Sequence, residues 1–259
     1  MSEPGDTAAV TDAAERAAWV RAAARNNAQW CDTVCRAHGI RGVFGGGAWT
    51  GSRRTPPLYP DAVTLTDRLR GAPAELLDRI DTASPGCSVK DSFACLDLSA
   101  AGFEVLFEAQ WIHRPAGAPA PVPPRTGGPV WDVAGTPGEL LAWAQAWGAE
   151  PGTCGPFRPE LLADGGTRFL RGRSADGRVT AGAVVSLGAS VVGLSNVFTS
   201  RADPRRDPRD TWAGCLSAVT ARWPGLPVVG YESGADLEAA EANGCRRAGP
   251  LRVWRAEGT

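Results

Sequence analysis

The sequence predicts an α+β protein, a mixed sheet flanked by helices, arranged as two lobes. Three observations carry that expectation. Apolar residues recur at helical spacing in some segments and as short β-type runs in others, and both patterns occur in each half of the chain. A stretch dense in proline and glycine, Arg114 to Pro129 (RPAGAPAPVPPRTGGP), divides the chain almost in half and excludes both helix and central strand. The chain's 259 residues suffice for two units of about 100 to 130 residues each. The expected boundaries are therefore residues 1–113, a semi-rigid linker at 114–129, and residues 130–259.

In the first half, Ala18, Trp19, Ala22, Ala23, Trp30 and Val34 mark one or two helices over Thr7 to His38, with Gly39 as the cap. Arg41 to Asp61 reads as a long irregular segment. A strand at Val63 to Leu65, a helix from Ala72 to Asp81, the segment CSVKDSFACLDL, a turn SAAG and the strong strand FEVLFEAQWIH complete this half. The second half opens with a helix at Pro137 to Trp147 and a short one near Pro159 to Ala163. Three β-type stretches follow, joined by the turn signals SADG and LGA. After a loop of arginines and aspartates come a helix Thr211 to Trp223, the strand LPVVGY, a helix Ala235 to Asn243 with Gly244 at its end, and the closing strand GPLRVWRAE.

Composition removes several function classes. Basic and acidic residues nearly cancel, 27 against 28, so the bulk charge points neither to a nucleic-acid-coating protein nor to a membrane-surface one. The longest apolar runs fall short of the roughly 20 residues that span a bilayer, and MSEPGDTAAV lacks the basic and apolar regions of a signal peptide. A cytoplasmic protein without membrane association is expected, with monomer and homodimer both open. The seven cysteines are odd in number and scattered, and read as reduced core thiols. Cys31, Cys35 and His38 share one helix face, but a zinc site needs a fourth ligand and none is signalled, so no metal is expected. Neither histidine sits in a motif with a nucleophile, which argues against a hydrolase triad.

The order of elements in the second half, with the ending GADLEAAEANGCRRAGPLRVWRAE, resembles the GNAT superfamily of acyl-CoA-dependent acyltransferases over about residues 130–259. The segment DLSAAGFEVLFEAQWIH is similar to a second, fainter copy of that ending, so the resemblance implies two GNAT-like lobes in tandem, the first degenerate. It implies an acyl transfer from acetyl-CoA or another acyl-CoA to the amine of a small molecule. In the family the strand matched by Val191 to Phe198 splays from its neighbour. Its backbone, here at Asn196, Val197 and Phe198, holds the pantetheine arm, and the next loop and helix start take the diphosphate.

That loop departs from the family's glycine-rich pattern. Residues 200–210 hold four arginines and three aspartates, a local charge of only +1. Arg205, Arg206 and Arg209 are the candidate phosphate ligands, acting through side-chain forks because Pro208 lacks a donor and no glycine lets the backbone wrap an oxygen. Three readings stay open: a solvated, ion-paired loop with Asp210 or Thr211 as the helix cap, a modified CoA site, or a donor other than free CoA. Some GNAT-like enzymes use aminoacyl-tRNA, so tRNA is a candidate donor-bearing partner, and a non-catalytic GNAT-like binding module is the remaining alternative.

Family spacing counted from Gly244 places the common tyrosine at Ala240 and the common asparagine at Ser233, so neither family residue is present. The nearest substitutes are Tyr231 and Glu232 at the end of LPVVGY, a phenol that can donate a proton and a carboxylate that can accept one. Lys90, the single lysine beside 26 arginines, and its neighbour Asp91 are candidates to hold an acceptor's carboxylate, or to form an ion pair between the halves. Tyr59, in RTPPLYPDA, is the candidate polar tip of the same cleft.

Overall fold

The computed structural model describes residues 4–71, 73–122, 128–201 and 207–257. Its elements are α1 (Pro4–Ala37), β1 (Gly42–Gly45), β2 (Ala48–Gly51), β3 (Ala62–Thr64), α2 (Pro73–Leu77), β4 (Ser88–Asp91) and β5 (Phe103–Arg114) in the first half. In the second half they are β6 (Val130–Val133), α3 (Pro137–Trp147), β7 (Thr167–Arg173), β8 (Val179–Gly188), β9 (Val191–Thr199), α4 (Pro208–Arg222), β10 (Val228–Glu232), α5 (Gly234–Ala242) and β11 (Arg246–Ala256). Short 3-10 turns lie at Asp67–Gly71, Ser99–Ala101 and Pro159–Ala163.

Local chemistry sets several of these bounds. Thr136 and Glu139 form a reciprocal capping box before α3, Pro137 follows at a position where its missing N–H costs nothing, and Gly148 ends the helix in the left-handed region. Gly39 and Gly244 likewise have positive φ just beyond α1 and α5. The segment read as irregular, Arg41 to Asp61, instead contains the β1–β2 hairpin, turned through Gly46 and Gly47 at positive φ. Its glycines are turn and edge residues, which hid the strands that they join. The short edge strand β6 was also not expected, and the helix expected over Ala72 to Asp81 is reduced to α2.

One eleven-stranded sheet runs through both halves, in the order β1-β2-β3-β4-β11-β5-β10-β9-β8-β7-β6. The first half's closing strand β5 lies between β10 and β11, antiparallel to each. Arg114, expected as the first linker residue, is the last residue of β5, opposite Val228. Its guanidinium donates to the carbonyl oxygens of Asn243, Ala118 and Pro119 and so fixes the start of the segment beyond.

Helices cover both faces of the sheet. On one face α1 and α3 share a core in which Trp30, Val34, Leu140, Trp143, Phe157 and Phe169 are buried. Trp143 meets Phe157, Phe169 and Phe198 edge-on at 5.1 Å. Truncating such a residue costs about 3–5 kcal/mol. Small residues Ala23, Ala24 and Ala28 bring α1 close to the strands. Asn26 then reaches across to accept from Ser186 Oγ at 3.0 Å and to donate to the carbonyls of Ser186 and Gly188 at 3.0 and 3.2 Å. Gly193 leaves the room that Asn26 occupies, since any Cβ there would meet its side-chain oxygen. On the opposite face α4 and α5 pack through Trp212, Leu216, Val219 and Leu237.

The thiols divide less cleanly than expected. Five of the seven cysteines are buried, whereas Cys95 and Cys154 are partly open. Among the described residues no helix is long and apolar enough to cross a membrane, and no group of His, Cys, Asp and Glu is arranged to hold a metal.

Candidate active site

The site begins where two neighbouring strands part. β9 and β10 pair in parallel at Val192–Val228 and Gly193–Val229 only. Gly230 follows, and a Cβ on it would stand 2.8 Å from the Leu194 carbonyl oxygen, so glycine is what permits the last close approach before the strands diverge. On its other side β9 carries a bulge: Phe198 faces Gly182 and Ser195 faces Val184, two residues of β9 against one of β8. Asn196, at the bulge, has φ +52. It turns β9 away from β10 and leaves the backbone of residues 195–197 without a β10 partner.

The gap is a cavity of about 210 Å³ whose walls come from both halves. β9 supplies Ser195, Asn196 and Val197, β10 supplies Tyr231 and Glu232, and Asn27 and Cys31 of α1, Lys90 of β4 and Tyr59 close it. A second cavity of about 590 Å³ adjoins it, sharing Leu58, Tyr59, Pro60, Lys90 and Tyr231. The chain contains two tyrosines and one lysine, and all three stand on the wall common to both cavities.

Lys90 is 4% exposed. Its Nζ donates to Asn27 Oδ1 at 2.9 Å and to Tyr231 Oη at 3.1 Å, and lies 4.2 Å from the centre of the Tyr231 ring. Among the described residues no carboxylate forms an ion pair with it. The expected Lys90–Asp91 pair is not formed, because successive residues of a strand point to opposite faces. Asp91 instead accepts from the backbone N–H groups of Phe93 and Leu96, at 3.3 and 2.8 Å, and holds the turn after β4. Burial raises its pKa, and it lines neither cavity.

Glu232 ends β10, opposite Gln110 of β5. Part of the residue stays open to the cavity, but its carboxyl sits near the buried thiols of Cys215 and Cys245, and burial, with Asp236 adding, pushes its pKa up to about 8. Burial also raises Tyr59 well above the usual phenol range and Cys31 to about 11, so both stay protonated at neutral pH.

The loop bearing Tyr59 is tied down by Asp61. Its carboxylate accepts from Thr55 N at 3.0 Å and Ser88 N at 2.9 Å and pairs with Arg54. Thr55 Oγ1 donates to the Tyr59 carbonyl at 2.7 Å. Leu58, between the prolines, has φ +72 and is 79% exposed, standing at the mouth of both cavities.

The donor-phosphate candidates are less gathered. Arg205 and Arg206 lie outside the described residues. Arg209 is exposed in the first turn of α4, where its N–H goes to the Asp207 side chain at 2.8 Å and its carbonyl accepts from Asn243 Nδ2 at 3.0 Å. Asp207, and neither Asp210 nor Thr211, is the helix cap, with Pro208 next to it. The helix starts three residues earlier than the sequence suggests because proline suits that first position. Thr211 Oγ1 meets Thr199 Oγ1 at 2.8 Å and anchors the helix start to the end of β9. Asn196 and Val197 line the smaller cavity, whereas the Phe198 ring turns into the core against Trp143. Asn27, Cys31 and Ser195 were not foreseen. Asn27 lies inside a helix whose apolar spacing marks only its core face, so no sequence signal singled it out.

No family model and no curated protein matches the chain. Solved structures do. A GCN5-related N-acetyltransferase from Kribbella flavida superposes with TM-score 0.58 at 17% identity, over 92% of this chain and 96% of that one. A functionally unknown conserved protein from Staphylococcus epidermidis gives 0.54 at 9% identity, over 82% and 84%. A GNAT-family protein from Novosphingobium aromaticivorans gives 0.52 at 15% identity, over 89% and 96%. Likeness at these identities is likeness of fold. The chain has the GNAT fold, and the similarity spans both halves.

Proposed function

We propose that the chain is an N-acyltransferase that moves an acyl group from a coenzyme A thioester to the amine of a small molecule. The observation that carries this is the cavity at the β9–β10 divergence, which Glu232, a residue whose carboxyl has a raised pKa, helps to line. A carboxyl that titrates near pH 8 is matched to taking a proton from an ammonium or a reacting amine. The thioester end of the donor fits beside residues 195–197, whose backbone lacks a β10 partner.

In this reading the amine nitrogen attacks the thioester carbonyl carbon, and the proton it sheds goes to Glu232. A C–N bond forms and the C–S bond breaks. The departing thiolate takes the phenolic proton of Tyr231. Tyr231 Oη accepts from Lys90 Nζ, which leaves its own O–H free to point at the leaving sulfur. Tyr231 returns to the phenol by taking a proton from solvent, and Glu232 gives its proton to solvent.

The diphosphate end of the donor meets a less welcoming surface, since Asp207 already uses a first-turn N–H of α4. That favours a second reading, a GNAT-fold binding module without chemistry. Titration calorimetry with acetyl-CoA, CoA and uncharged tRNA separates the readings. Acetyl-CoA binding with turnover of an amine supports acyl-CoA transfer. Binding of tRNA alone, with a steep salt dependence, moves the donor to aminoacyl-tRNA. Absence of both donors leaves the binding module. Arg205→Ala with Arg206→Ala should weaken donor binding by about 1.5–3 kcal/mol per charged hydrogen bond lost if these side chains hold the phosphates.

A further inference from the structure

The larger cavity has a division of labour along its walls. Pro56, Pro57, Leu58, Pro85, Leu106 and Phe107 make one side apolar, and several of these are exposed at its mouth: Leu58, Leu106 and Phe107 all stand open to solvent. Such a surface is stabilised when an apolar group covers it. Three cations also line this cavity, Arg54, Lys90 and Arg255. Arg54 is paired with Asp61 and Arg255 with Glu104 at 2.7 Å, so their charges are already balanced. Lys90 is the buried one, and its partners are an amide oxygen, a phenol oxygen and a ring face, all neutral. An ammonium has three donors, two are used, and a buried charge is costly until an opposite charge meets it.

We propose that the acceptor is a hydrophobic α-amino acid or a close analogue: its carboxylate on Lys90, its apolar side chain in the larger cavity, and its amine directed to Glu232. The positions of the walls set this arrangement. Glu232 lines only the smaller cavity, the proline, leucine and phenylalanine wall lines only the larger apart from Leu58, and Lys90 lines both. A molecule that meets all three must carry its anion between its amine and its apolar group, and an α-amino acid joins the three at a single carbon. The inference rests on the transferase reading for the role of the amine but not for the seating of the carboxylate and side chain.

The test uses the full chain without any donor. N-acetyl-L-phenylalanine, N-acetyl-L-phenylalaninamide and N-acetylglycine are titrated by calorimetry. The first keeps both the carboxylate and the apolar group, and each of the others lacks one. N-acetyl-L-phenylalanine should bind at least about tenfold more tightly than either, since a charge-assisted hydrogen bond or a buried aromatic ring is worth that much. Lys90→Met should bring its affinity down to that of the amide while leaving amide binding unchanged, and Phe107→Ala should weaken both phenylalanine ligands alike. Equal affinity for acid and amide on the unaltered protein, or no binding of any of the three, overturns the proposal whether or not the Lys90 variant folds. Binding of N-acetyl-L-phenylalanine by a chain that ignores acyl-CoA would keep this assignment and defeat the transferase reading.

Discussion

The start of α4 and the end of β10 each carry an acidic residue, Asp207 and Glu232, and the two have opposite fates. Asp207 is exposed, caps its own helix and accepts from Arg209 N, so its charge is satisfied by the backbone beside it. Glu232 ends a strand between two helices, lies near two buried thiols, and is left with a carboxyl whose ionisation is opposed by burial. A carboxylate that meets orphan N–H groups becomes structure, whereas one that loses water without gaining donors becomes a titratable group near neutral pH. The acid at the start of α4 thus serves architecture, and the acid at the end of β10 makes chemistry available.

The comparison breaks most directly at Glu232. Glu232→Gln should lower kcat for amine acylation by about 10² or more, because the isostere keeps the packing and loses the base. Parent activity should climb as pH rises through about 8, where the carboxyl ionises, and the variant should lose that limb. Steady-state kinetics from pH 6 to 9.5 check both, and an unchanged kcat would make Glu232 structural.

Stability offers the next largest effect. The folded-state pKa of Glu232, about 8, lies above the ordinary value of 4.5 for an unfolded carboxyl. The folded protein therefore holds the extra proton between those values, and the stability this contributes is full below about pH 4.5 and is lost as pH rises toward 8. Glu232→Gln should accordingly be more stable than the parent at pH 9, by about 1–3 kcal/mol after allowance for the open part of the residue, and the gap should shrink toward pH 5. Thermal denaturation at the two pH values reads it.

Tyr231→Phe should cost about tenfold in kcat, less than Glu232→Gln, since solvent can protonate a departing thiolate more readily than it can replace a buried base. A tenfold loss in donor affinity at constant kcat would instead make the phenol a binding group. Asp207→Ala closes the series, with a stability loss of about 1 kcal/mol from the missing cap, while Asp207→Asn should be nearly silent. Should Asp207→Asn instead tighten acetyl-CoA binding several-fold, the carboxylate is repelling the diphosphate and the start of α4 belongs to the donor site after all.

The sequence is legible where local chemistry decides. The bounds of α3 follow from Thr136, Pro137 and Gly148, and the end of α5 from Gly244. The hairpins of β7, β8 and β9 follow from SADG and LGA, the latter turning through Ala189 and Ser190, both at positive φ. Tyr231 and Glu232, which the family resemblance points to at the end of LPVVGY, and Lys90 and Tyr59, which stand out by residue type, all line the cleft. What escaped is what depends on distant partners. Nothing near Asp91 in the sequence says that it caps a turn rather than pairing with Lys90, because that depends on strand facing. Glu232 owes its raised pKa to packing against α4 and the start of β11, which no window around GYES contains. β5 reads as a strand at once, but its neighbours in the sheet cannot be read from its own residues.

That placement of β5 bears on how the protein is made. Its two neighbours, β10 and β11, are the last strands of the described chain, so β5 leaves the ribosome long before anything can pair with it. Until then both of its edges, and the side chains of Ala109, Trp111 and Ile112 that the finished fold buries, are open to other chains. The strands β1 to β4 can settle into a patch of their own, but the sheet is completed only by a late, long-range closure, the kind of step that slows folding and invites capture by chaperones or aggregation. Cutting the chain in the segment after β5 would not yield two independent domains, because each piece would lack a strand that the other holds.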